Sequence, residues 1–485
     1  MSLSDSDNNR SGILLPDKLR EECGVFGIYG HPEAANLTYL GLYALQHRGQ
    51  EGSGIVSYDG NQFHIEKGIG LVNELFTQDR LQRLIGRSAV GHNRYSTAGG
   101  SGLKNVQPLV ADYALGTLVL AHNGNLINAG LLRAELEAYG AIFQSTTDTE
   151  VIVHLIAHST GRTFLDRVID GLQRLRGAYS LLMLTEEGLL AVRDPYGLRP
   201  LSVGRLKSSH PSGDAWVVAS ESCAFDLIEA EFIRDVQPGE LIVINGKGLS
   251  SYTPFPKASH APCVFEHVYF ARPDSRIFGR EVYGIRCQLG RELAKEAPVD
   301  ADVVIAVPDS GVPAALGYAA ESKIPYETGL VRNHYVGRTF IQPQQTIRHF
   351  GVKVKLNVVR EVLGGRRVVV VDDSIVRGTT SRKIVTMIRQ AGATEVHMRI
   401  SSPPIIAPCY YGIDTPTKEE LIGASKPVRE ICDYITADSL RYLSLEGMLR
   451  AVVDAQNPAF CTACFSDHYP IPLLPEESPQ MGLFE

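Results

Sequence analysis

Two adjacent carboxylates close a continuous β-branched run in the second half of the sequence. The stretch VVVVDDSIVRGTTS, residues 368–381, predicts a strand that ends at Asp372 and Asp373, followed by a short glycine-containing loop that opens a helix. Open α/β sheets bind ligands at this end of their strands. Glycine lets backbone N–H groups approach a phosphate, and the amino end of a helix adds partial positive charge. Paired carboxylates at this point could hold ribose hydroxyls or hydrated magnesium, so we predict a sugar-phosphate site; capping of the helix by the aspartates is the alternative.

Two cysteines near the carboxyl end are spaced for metal binding. In NPAFCTACFSD, two residues separate Cys461 from Cys464, which lets both sulfurs face one metal. A tetrahedral sulfur site needs two further ligands from elsewhere in the chain, and the spacing alone leaves zinc and an iron–sulfur cluster open. We expect Cys223, Cys287 and Cys432, which lack such a context, to be packing residues.

The pattern of apolar residues predicts two different arrangements of helices and strands that position these groups. Residues 1–22 are polar with little to bury, and ordered structure is expected from Cys23 onward. Up to the polar, proline-containing stretch 250–261, which we take as the domain boundary, sheet and helix patterns are mixed. Beyond it, strands alternate with helices as in a parallel sheet with crossover helices. In the first part the predicted strands are 54–58, 89–92, 118–121 and 179–184, and the predicted helices are 149–158 and 163–175.

The composition of the 485 residues excludes several classes of protein. With 44% hydrophobic and 21% charged residues, the chain has enough apolar material for two domain cores. A net charge of −7 and a pI near 6.1 argue against a nucleic-acid partner. The sequence has neither an apolar run long enough to cross a bilayer nor a secretory signal pattern, so we expect no membrane partner and a cytoplasmic location. Eight cysteines in a chain of this length do not indicate a disulfide scaffold.

The segment DDSIVRGTTS resembles the phosphoribosylpyrophosphate signature of the type I phosphoribosyltransferase family. A second strand–loop–helix unit, VVIAVPDSGVPAALGYA, is similar to that family's pyrophosphate loop. The basic segment between them, residues 332–355, would close over the substrate, neutralise the departing pyrophosphate and exclude water; an ordinary surface loop is the alternative. The resemblance implies that phosphoribosylpyrophosphate is bound by Asp309, Ser310, Gly311, Arg338, Arg348, Asp372, Asp373, Ser374, Arg377, Gly378, Thr379 and Thr380, and magnesium by Ser310, Asp372 and Asp373.

Four segments between residues 23 and 150 resemble class II glutamine amidotransferases: CGVFGIYG, LQHRGQEGSG, GHNRYSTAG and AHNGNL. In that family an amino-terminal cysteine attacks the side-chain amide of glutamine and forms a thioester that water later hydrolyses. The resemblance implies that Cys23 is this nucleophile and that its free α-amino group is the base, because an ordinary α-amino pKa of about 7.7 to 8.0 suits proton transfer near neutrality. That amine exists only after a propeptide, residues 1–22, is cleaved off between Glu22 and Cys23. An inert buried thiol is the alternative.

The same resemblance assigns roles to further residues of the glutaminase site. The side chain of Asn123 and the N–H of Gly124 would form the oxyanion hole. Arg94 would hold the α-carboxylate of glutamine with two parallel hydrogen bonds, and Asp148 would pair with its α-ammonium. The remaining assignments are Arg48 and Thr97 as further glutamine-binding residues and Tyr95 as a reporter of occupancy at the other site.

Two more cysteines match positions used by relatives that carry a 4Fe-4S cluster, namely Cys263 in APCVFEH and Cys409 in APCYYGID. Together with Cys461 and Cys464 they would supply four thiolates. The resemblance implies a structural, oxygen-sensitive 4Fe-4S cluster that ties the carboxyl-terminal segment to the second domain, with zinc as the alternative metal.

A glutaminase followed by a phosphoribosyltransferase resembles the propeptide-bearing, iron–sulfur type of the glutamine phosphoribosylpyrophosphate amidotransferase family. The resemblance implies a two-domain chain of α/β and α+β class. Residues 23–255 would form an N-terminal-nucleophile glutaminase, which is an αββα sandwich. Residues 256–485 would form a type I phosphoribosyltransferase domain, a parallel sheet flanked by helices, with the iron–sulfur segment at its end. The implied partners are glutamine, phosphoribosylpyrophosphate, purine nucleotides as feedback inhibitors, and further copies of the chain in a homotetramer.

The implied reaction yields 5-phosphoribosylamine, glutamate and pyrophosphate, the first committed step of de novo purine synthesis. Ammonia would pass between the sites through a dry internal passage formed when the basic segment closes. Two other functions share part of the motifs. A glutaminase joined to an isomerase or an amide-forming synthetase would not need DDSIVRGTTS, and a phosphoribosylpyrophosphate-sensing regulator would have no use for the motifs around Cys23. The presence of both sets favours the amidotransferase.

Overall fold

The computed structural model describes residues 23–95, 102–207, 213–333, 356–455 and 457–473. The predicted propeptide, Thr97, Arg338, Arg348 and most of the basic segment lie outside the described residues. Within the described ranges, none of the helices is both long enough and apolar enough to span a bilayer.

The first part of the chain builds two antiparallel sheets. Its strands are β1 Gly24–Tyr29, β2 Gly52–Tyr58, β3 Phe63–Ile69, β4 Ser88–Arg94, β5 Leu109–Tyr113, β6 Gly116–Leu126, β7 Gly177–Thr185, β8 Gly188–Arg193, β9 Ser202–Leu206, β10 Ala215–Ala219, β11 Glu231–Asp235, β12 Leu241–Asn245 and β13 Gly248–Tyr252. In the described residues they form a seven-stranded sheet, ordered β11-β9-β10-β1-β4-β2-β3, and a six-stranded sheet, ordered β13-β12-β8-β7-β6-β5. The two sheets pack face to face over a buried cluster that contains Val25 and Val90 from the first and Val119 from the second.

Helices cover the outer faces of both sheets. They are α1 Ala34–Ala44, α2 Val72–Leu75, α3 Gln78–Arg83, α4 Ala129–Ala138, α5 Thr149–His158, α6 Phe164–Gln173 and α7 Cys223–Asp226, with a 3-10 turn at Leu103–Asn105. Phe26 of β1 shares a buried cluster with Leu42 of α1, and Leu120 of β6 shares one with Ile152 of α5. The αββα sandwich is therefore confirmed. Because each sheet packs against the other sheet on one face and against helices on the other, runs such as GAYSLLMLT in β7 are buried on both faces.

The second part is built around a parallel sheet. Its strands are β14 Arg276–Ile277, β15 Arg280–Glu281, β16 Val303–Ala306, β17 Leu330–Arg332, β18 Leu356–Val358, β19 Arg367–Asp372, β20 Glu395–Ile400 and β21 Ser439–Tyr442. Strands β16, β19, β20 and β21 pair in that order, all parallel. Val369 and Val371 of β19 face one buried cluster, and Val368 and Val370 face the other. This double burial accounts for the continuous β-branched run, and the predicted class of this domain is confirmed.

Helices lie on both faces of this sheet. They are a π-helix Glu266–Phe270, α8 Val282–Glu296, α9 Val312–Ser322, α10 Arg360–Leu363, α11 Thr379–Gln390, a 3-10 turn Lys418–Glu420, α12 Ile422–Ser425, α13 Val428–Ile435, α14 Leu445–Val452 and α15 Ala463–Ser466. Residues 253–262, which join the two parts, have no helix or strand, and the predicted boundary between 255 and 256 falls inside this connection. The domain limits themselves stay a prediction.

Candidate active site

The thiol of Cys23 lies at one end of the first sheet, immediately before β1, and is buried. The pairing of β1 with β4 sets Gly24 opposite Asn93, which brings Cys23 level with Arg94. The thiol donates a hydrogen bond to the carbonyl oxygen of Tyr95 at 3.4 Å. The pocket at this point is lined by Cys23, Arg94, Tyr95, Gln107, His122, Gly124, Thr147, Asp148 and Thr149. Residues that are distant in sequence but were predicted to act together therefore line one pocket.

Asn123 and Gly124 lie in β6, which extends five residues past the predicted strand end at 121. Asn123 is 1% exposed, and among the described residues neither its Oδ1 nor its Nδ2 has a hydrogen-bond partner. Gly124 has a φ of +146°, and a Cβ at this position would lie 2.1 Å from the carbonyl oxygen of Ala178, so no larger residue fits. Its neighbours His122 and Gly124 line the pocket of Cys23, whereas Asn123 is not among the lining residues. A buried donor without a partner suits a negative charge that develops during a reaction.

Arg94 and Asp148 give the pocket both signs of charge. Asp148 precedes α5, and its Oδ2 accepts a hydrogen bond from the N–H of Leu126 at 2.9 Å. Arg94 is buried and donates to the carbonyl oxygen of Asn105. Burial lowers the pKa of the Arg94 guanidinium, and nearby acidic groups, Asp148 among them, oppose that shift. A carboxylate and a guanidinium in one pocket are complementary to the two charged groups of a free amino acid.

The guanidinium of Arg48 is held inside the protein, and the predicted role of Arg48 in binding glutamine stays a prediction. Its Nε donates to the carbonyl oxygen of Cys23 at 3.2 Å, its Nη1 to Glu221 at 2.6 Å, and its Nη1 and Nη2 to Glu266 at 2.9 and 2.7 Å. It supports the site through the backbone of the nucleophile. Glu221 and Glu266 were not singled out from the sequence, because their partners lie 173 and 218 positions away.

Glu221 collects several donors in a fully buried position. Besides Arg48, it accepts hydrogen bonds from His47 at 2.7 Å, from Ser275 Oγ at 2.6 Å and from the N–H of Arg272 at 2.9 Å. Burial alone would raise the pKa of this carboxyl, but His47 and Arg48 outweigh burial and hold it well below its ordinary value. Glu221 is thus an ionised link between the two parts of the chain.

Three pocket residues that the sequence did not single out brace the strand that carries Asn123. His122 Nδ1 lies 3.2 Å from Thr149 Oγ1, and Gln107 Nε2 donates to the same hydroxyl at 3.0 Å. The N–H of His122 donates to Gln107 Oε1 at 2.7 Å. His122 stands beside Asn123 in AHNGNL, which is the signal that could have identified it.

Tyr95 reaches the second part of the chain. Its hydroxyl donates to Asp414 Oδ2 at 3.4 Å. Its expected role as a reporter of occupancy at the other site stays a prediction.

The predicted sugar-phosphate residues gather at the carboxyl ends of β16 and β19, which are neighbours in the sheet. Asp372 and Asp373 are both 1% exposed. Ser310 Oγ donates to Asp373 Oδ2, which joins the loop after β16 to the loop after β19. Ser374 Oγ donates to Asp373 Oδ1 at 2.6 Å, and the N–H of Asp373 donates to Asp372 Oδ1 at 2.9 Å. The structure therefore brings the two predicted loops together.

The other residues predicted for this site surround the two loops. Gly311 lies so close to the end of β19 that a Cβ would be 2.6 Å from the carbonyl oxygen of Val371. Thr379 and Thr380 form the first turn of α11, directly after Gly378. On the exposed side, Asp309 pairs with Arg332 at 2.6 Å and Arg377 pairs with Glu420 at 3.1 Å.

The four predicted cluster cysteines come from three segments and converge. The N–H of Cys461 donates to the carbonyl oxygen of Pro262, and Cys263 and Cys461 form a parallel bridge. Burial raises the pKa of the Cys464 thiol well above its ordinary value, and Cys263, Cys461 and Cys409 add to that shift. Among the described residues, no group of three or more His, Cys, Asp or Glu side chains has the geometry to hold a metal ion. Both the cluster and the magnesium ion therefore stay predictions.

Comparisons with known proteins cover nearly the whole chain. Residues 92–226 match a family model described as a glutamine amidotransferase domain. The chain is 57% identical over 456 residues to amidophosphoribosyltransferase 1, chloroplastic, of Arabidopsis thaliana, with 94% of this chain and 80% of that protein covered. It is 53% identical over 456 residues to the amidophosphoribosyltransferase of Bacillus subtilis, with 93% and 94% covered.

Two solved structures have the same fold over nearly their whole length. One is described as glutamine phosphoribosylpyrophosphate amidotransferase from B. subtilis complexed with ADP and GMP; its TM-score is 0.88 at 52% identity, with 93% of this chain and 98% of that chain covered. The other is described as the allosteric regulatory enzyme of purine biosynthesis, with a TM-score of 0.88, 52% identity and 93% and 97% covered.

Proposed function

This chain belongs to the amidophosphoribosyltransferase family, and from that premise we propose how its residues divide the reaction. Glutamine and phosphoribosylpyrophosphate are converted to 5-phosphoribosylamine, glutamate and pyrophosphate in purine biosynthesis. Residues 23–255 release the ammonia, and residues 256–485 transfer it to the activated sugar. The observation that carries this assignment is the placement of Cys23 in one pocket with Arg94, Gly124 and Asp148.

In the first half-reaction, the α-amino group of Cys23 takes the proton of its own thiol, and the sulfur attacks the side-chain amide carbon of glutamine. A C–S bond forms, and the amide oxygen becomes an oxyanion that accepts hydrogen bonds from Asn123 Nδ2 and the N–H of Gly124. When the oxyanion collapses, the C–N bond breaks and the ammonium returns its proton to the leaving ammonia. Water then hydrolyses the thioester to glutamate. Arg94 and Asp148 hold the two charged groups of the amino acid throughout.

The free α-amino group requires removal of residues 1–22, which we propose is a propeptide. While residue 22 remains attached, the nitrogen of Cys23 is part of an amide and cannot act as a base. The mature chain would begin at Cys23.

In the second half-reaction, the two loops at the sheet edge hold phosphoribosylpyrophosphate. Asp372 and Asp373 would bind the ribose hydroxyls, residues 309–311 the pyrophosphate, and the N–H groups at the start of α11 a phosphate. Arg338 and Arg348 would neutralise the departing pyrophosphate as the basic segment closes, and closure would also create the dry passage for ammonia.

The chemistry of two donor sets suits a magnesium ion and an iron–sulfur cluster. Ser310, Asp372 and Asp373 offer the oxygen ligands that magnesium prefers, and the ion would neutralise pyrophosphate charge. Cys263, Cys409, Cys461 and Cys464 offer four thiols, as a 4Fe-4S cluster requires. This cluster would be structural.

We also propose feedback inhibition by purine nucleotides, a homotetramer and a cytoplasmic location. Support for the first comes from the similar B. subtilis structure, which is described as a complex with ADP and GMP. The tetramer follows from the resemblance to the family, and a reducing cytoplasm suits an oxygen-sensitive cluster.

The test compares two nitrogen donors in anaerobically purified protein. In Cys23→Ala, glutamine-dependent pyrophosphate release should fall to background, while release with ammonium chloride should stay close to that of the unsubstituted protein, because ammonia enters after the glutaminase step. Cys432→Ala, which removes a thiol outside the proposed sites, is the control and should retain both activities. Full glutamine-dependent activity in Cys23→Ala, or in enzyme whose mass shows residue 22 still attached, would refute the assignment.

A further inference from the structure

A segment of the second part, residues 409–412, contacts the end of strand β6, which carries Gly124 of the proposed oxyanion hole. The carbonyl oxygen of Tyr410 accepts a hydrogen bond from Asn125 Nδ2 at 2.9 Å. Gly412 has a φ of +110°, and a Cβ on it would lie 3.0 Å from the carbonyl carbon of Gly124 and 3.1 Å from its Cα. The backbones of these two glycines are therefore packed against each other. The position of the Gly124 backbone, including its N–H, therefore depends on contact with a segment that lies almost 300 residues away in sequence.

The same segment reaches the nucleophile through buried charges. Arg199 donates to the carbonyl oxygen of Tyr411 from Nε at 2.8 Å and from Nη2 at 2.6 Å, and its Nη1 lies 3.5 Å from Glu266. Glu266 accepts two hydrogen bonds from Arg48, whose Nε donates to the carbonyl oxygen of Cys23. The three charged side chains are at most 1% exposed. Water and salt screen such contacts little, so they hold the backbone firmly.

We propose that residues 409–412 are a positioning element for glutamine hydrolysis. Gly412 fixes the backbone of Gly124, and Tyr411 acts through Arg199, Glu266 and Arg48 on the backbone of Cys23. The inference rests on the proposed function, because it assigns Gly124 to the oxyanion hole. Small displacements of an oxyanion donor weaken stabilisation of the transition state and leave binding of the substrate nearly unchanged. The segment should therefore control kcat rather than KM.

The test is Gly412→Ala with Gly60→Ala as its matched control. Gly60 also has a positive φ, +101°, but a Cβ there meets nothing within 4 Å, so the two variants share backbone strain and differ in contact. Glutamate release is measured on the full processed chain with phosphoribosylpyrophosphate present. In Gly412→Ala, kcat should fall about 10-fold or more, towards the 10²–10³-fold cost of losing an oxyanion donor, with KM for glutamine changed less than about 2-fold. In Gly60→Ala both should stay within about 2-fold.

Two readouts separate positioning from general damage. Alkylation of Cys23 by iodoacetamide passes through no oxyanion, so its rate should be unchanged in Gly412→Ala. Ammonia-dependent pyrophosphate release should also be unchanged. Asn125→Ala, which removes only the bond to Tyr410, is the milder second variant and should give a smaller loss confined to kcat.

Three outcomes would overturn the proposal: equal losses in Gly412→Ala and Gly60→Ala, a change in KM alone, or unchanged kcat in Gly412→Ala. Glutamate release measures hydrolysis in the pocket of Cys23, and it does so whichever acceptor takes the ammonia. Failure of pyrophosphate release from the unsubstituted protein would therefore count against the proposed function and leave this inference to be judged by glutamate release.

Discussion

At the scale of single residues, the side-chain amide of Asn123 is buried and has no hydrogen-bond partner among the described residues. A buried polar group without a partner costs roughly 1–3 kcal/mol, and proteins seldom retain one without a role. The neighbouring residues His122 and Gln107 have their own hydrogen bonds, so they do not compete for the amide. On the proposed role of Asn123, the donor is in place before the substrate arrives, and no reorganisation is needed when the oxyanion forms.

Replacing Asn123 by Ala should reduce kcat for glutamine hydrolysis about 10²–10³-fold with little change in KM, because this donor is used only in the transition state. Steady-state glutamate release measures both constants. Asn61→Ala, in the exposed turn between β2 and β3, is the control and should not differ from the unsubstituted protein. An equal effect on KM and kcat would contradict the role.

The residues that could be predicted from the sequence lie in short contiguous motifs. The order of residues around Asp372 itself indicates a sugar-phosphate site, whereas the predicted roles of Cys23 and Asn123 follow from motifs that resemble class II glutamine amidotransferases. Glu266 and Gly412 could not be predicted, because each acquires its role from a partner in the other part of the chain. The residues proposed to carry out the chemistry lie in short motifs. The residues that hold them in place come from distant parts of the sequence.

At the scale of elements, the buried carboxylates Glu221 and Glu266 join strands and helices that sequence patterns treat separately. Glu221 follows β10 and binds the loop after α1 as well as the start of the second part. Glu266 opens the π-helix and binds the same arginine. Sequence periodicity predicted only some of the elements, among them α5 with its observed ends. The prediction 163–175 for α6 included Thr163, which instead caps that helix by accepting from the N–H of Asp166.

The Glu221→Gln variant should unfold at a lower temperature at pH 7, because removal of one charge from a buried ion pair costs about 3–5 kcal/mol. The pKa of Glu221 in the folded protein lies below its ordinary value. A carboxyl of this kind stabilises the fold above its unfolded pKa of about 4.3 and loses that contribution as the pH falls towards its folded pKa. The difference between the two midpoints should therefore be largest near neutrality and shrink below about pH 4.

Thermal unfolding scans between neutral and acid pH measure this difference. Glu137→Gln removes an exposed partner of Arg133 and serves as the control, with an expected change below about 0.5 kcal/mol. A difference for Glu221→Gln that grows with acidity would show that the carboxyl is not the ionised link described above.

At the scale of the whole molecule, three distant segments meet around the four cysteines. Cys263 follows the connection between the two parts, Cys409 is the first residue of the proposed positioning segment, and Cys461 and Cys464 belong to the carboxyl-terminal segment. The N–H groups of Ile406 and Ala407 both donate to the carbonyl oxygen of Cys464. The overall class could be predicted because each part has its own periodicity, but the contacts between the parts carry no periodic signal.

Anaerobically purified protein should contain about four iron and four sulfide per chain, as expected for a four-thiolate cluster. Cys464→Ser should lower both contents, since it removes the buried thiol that the other three surround, while Cys287→Ser should not. Elemental analysis with acid-labile sulfide determination measures them. Stoichiometric zinc without sulfide would identify the alternative metal.

The hydrogen bond between Asn125 and Tyr410 spans 285 positions of sequence. A ribosome that has just added Asn125 must therefore complete 285 further peptide bonds before the partner exists. Nascent chains and prematurely terminated products contain the sulfur nucleophile but lack residues 409–412, which contact Gly124 and Asn125 in the complete chain. On the proposed role of residues 409–412, such incomplete products would hydrolyse glutamine more slowly than the complete chain.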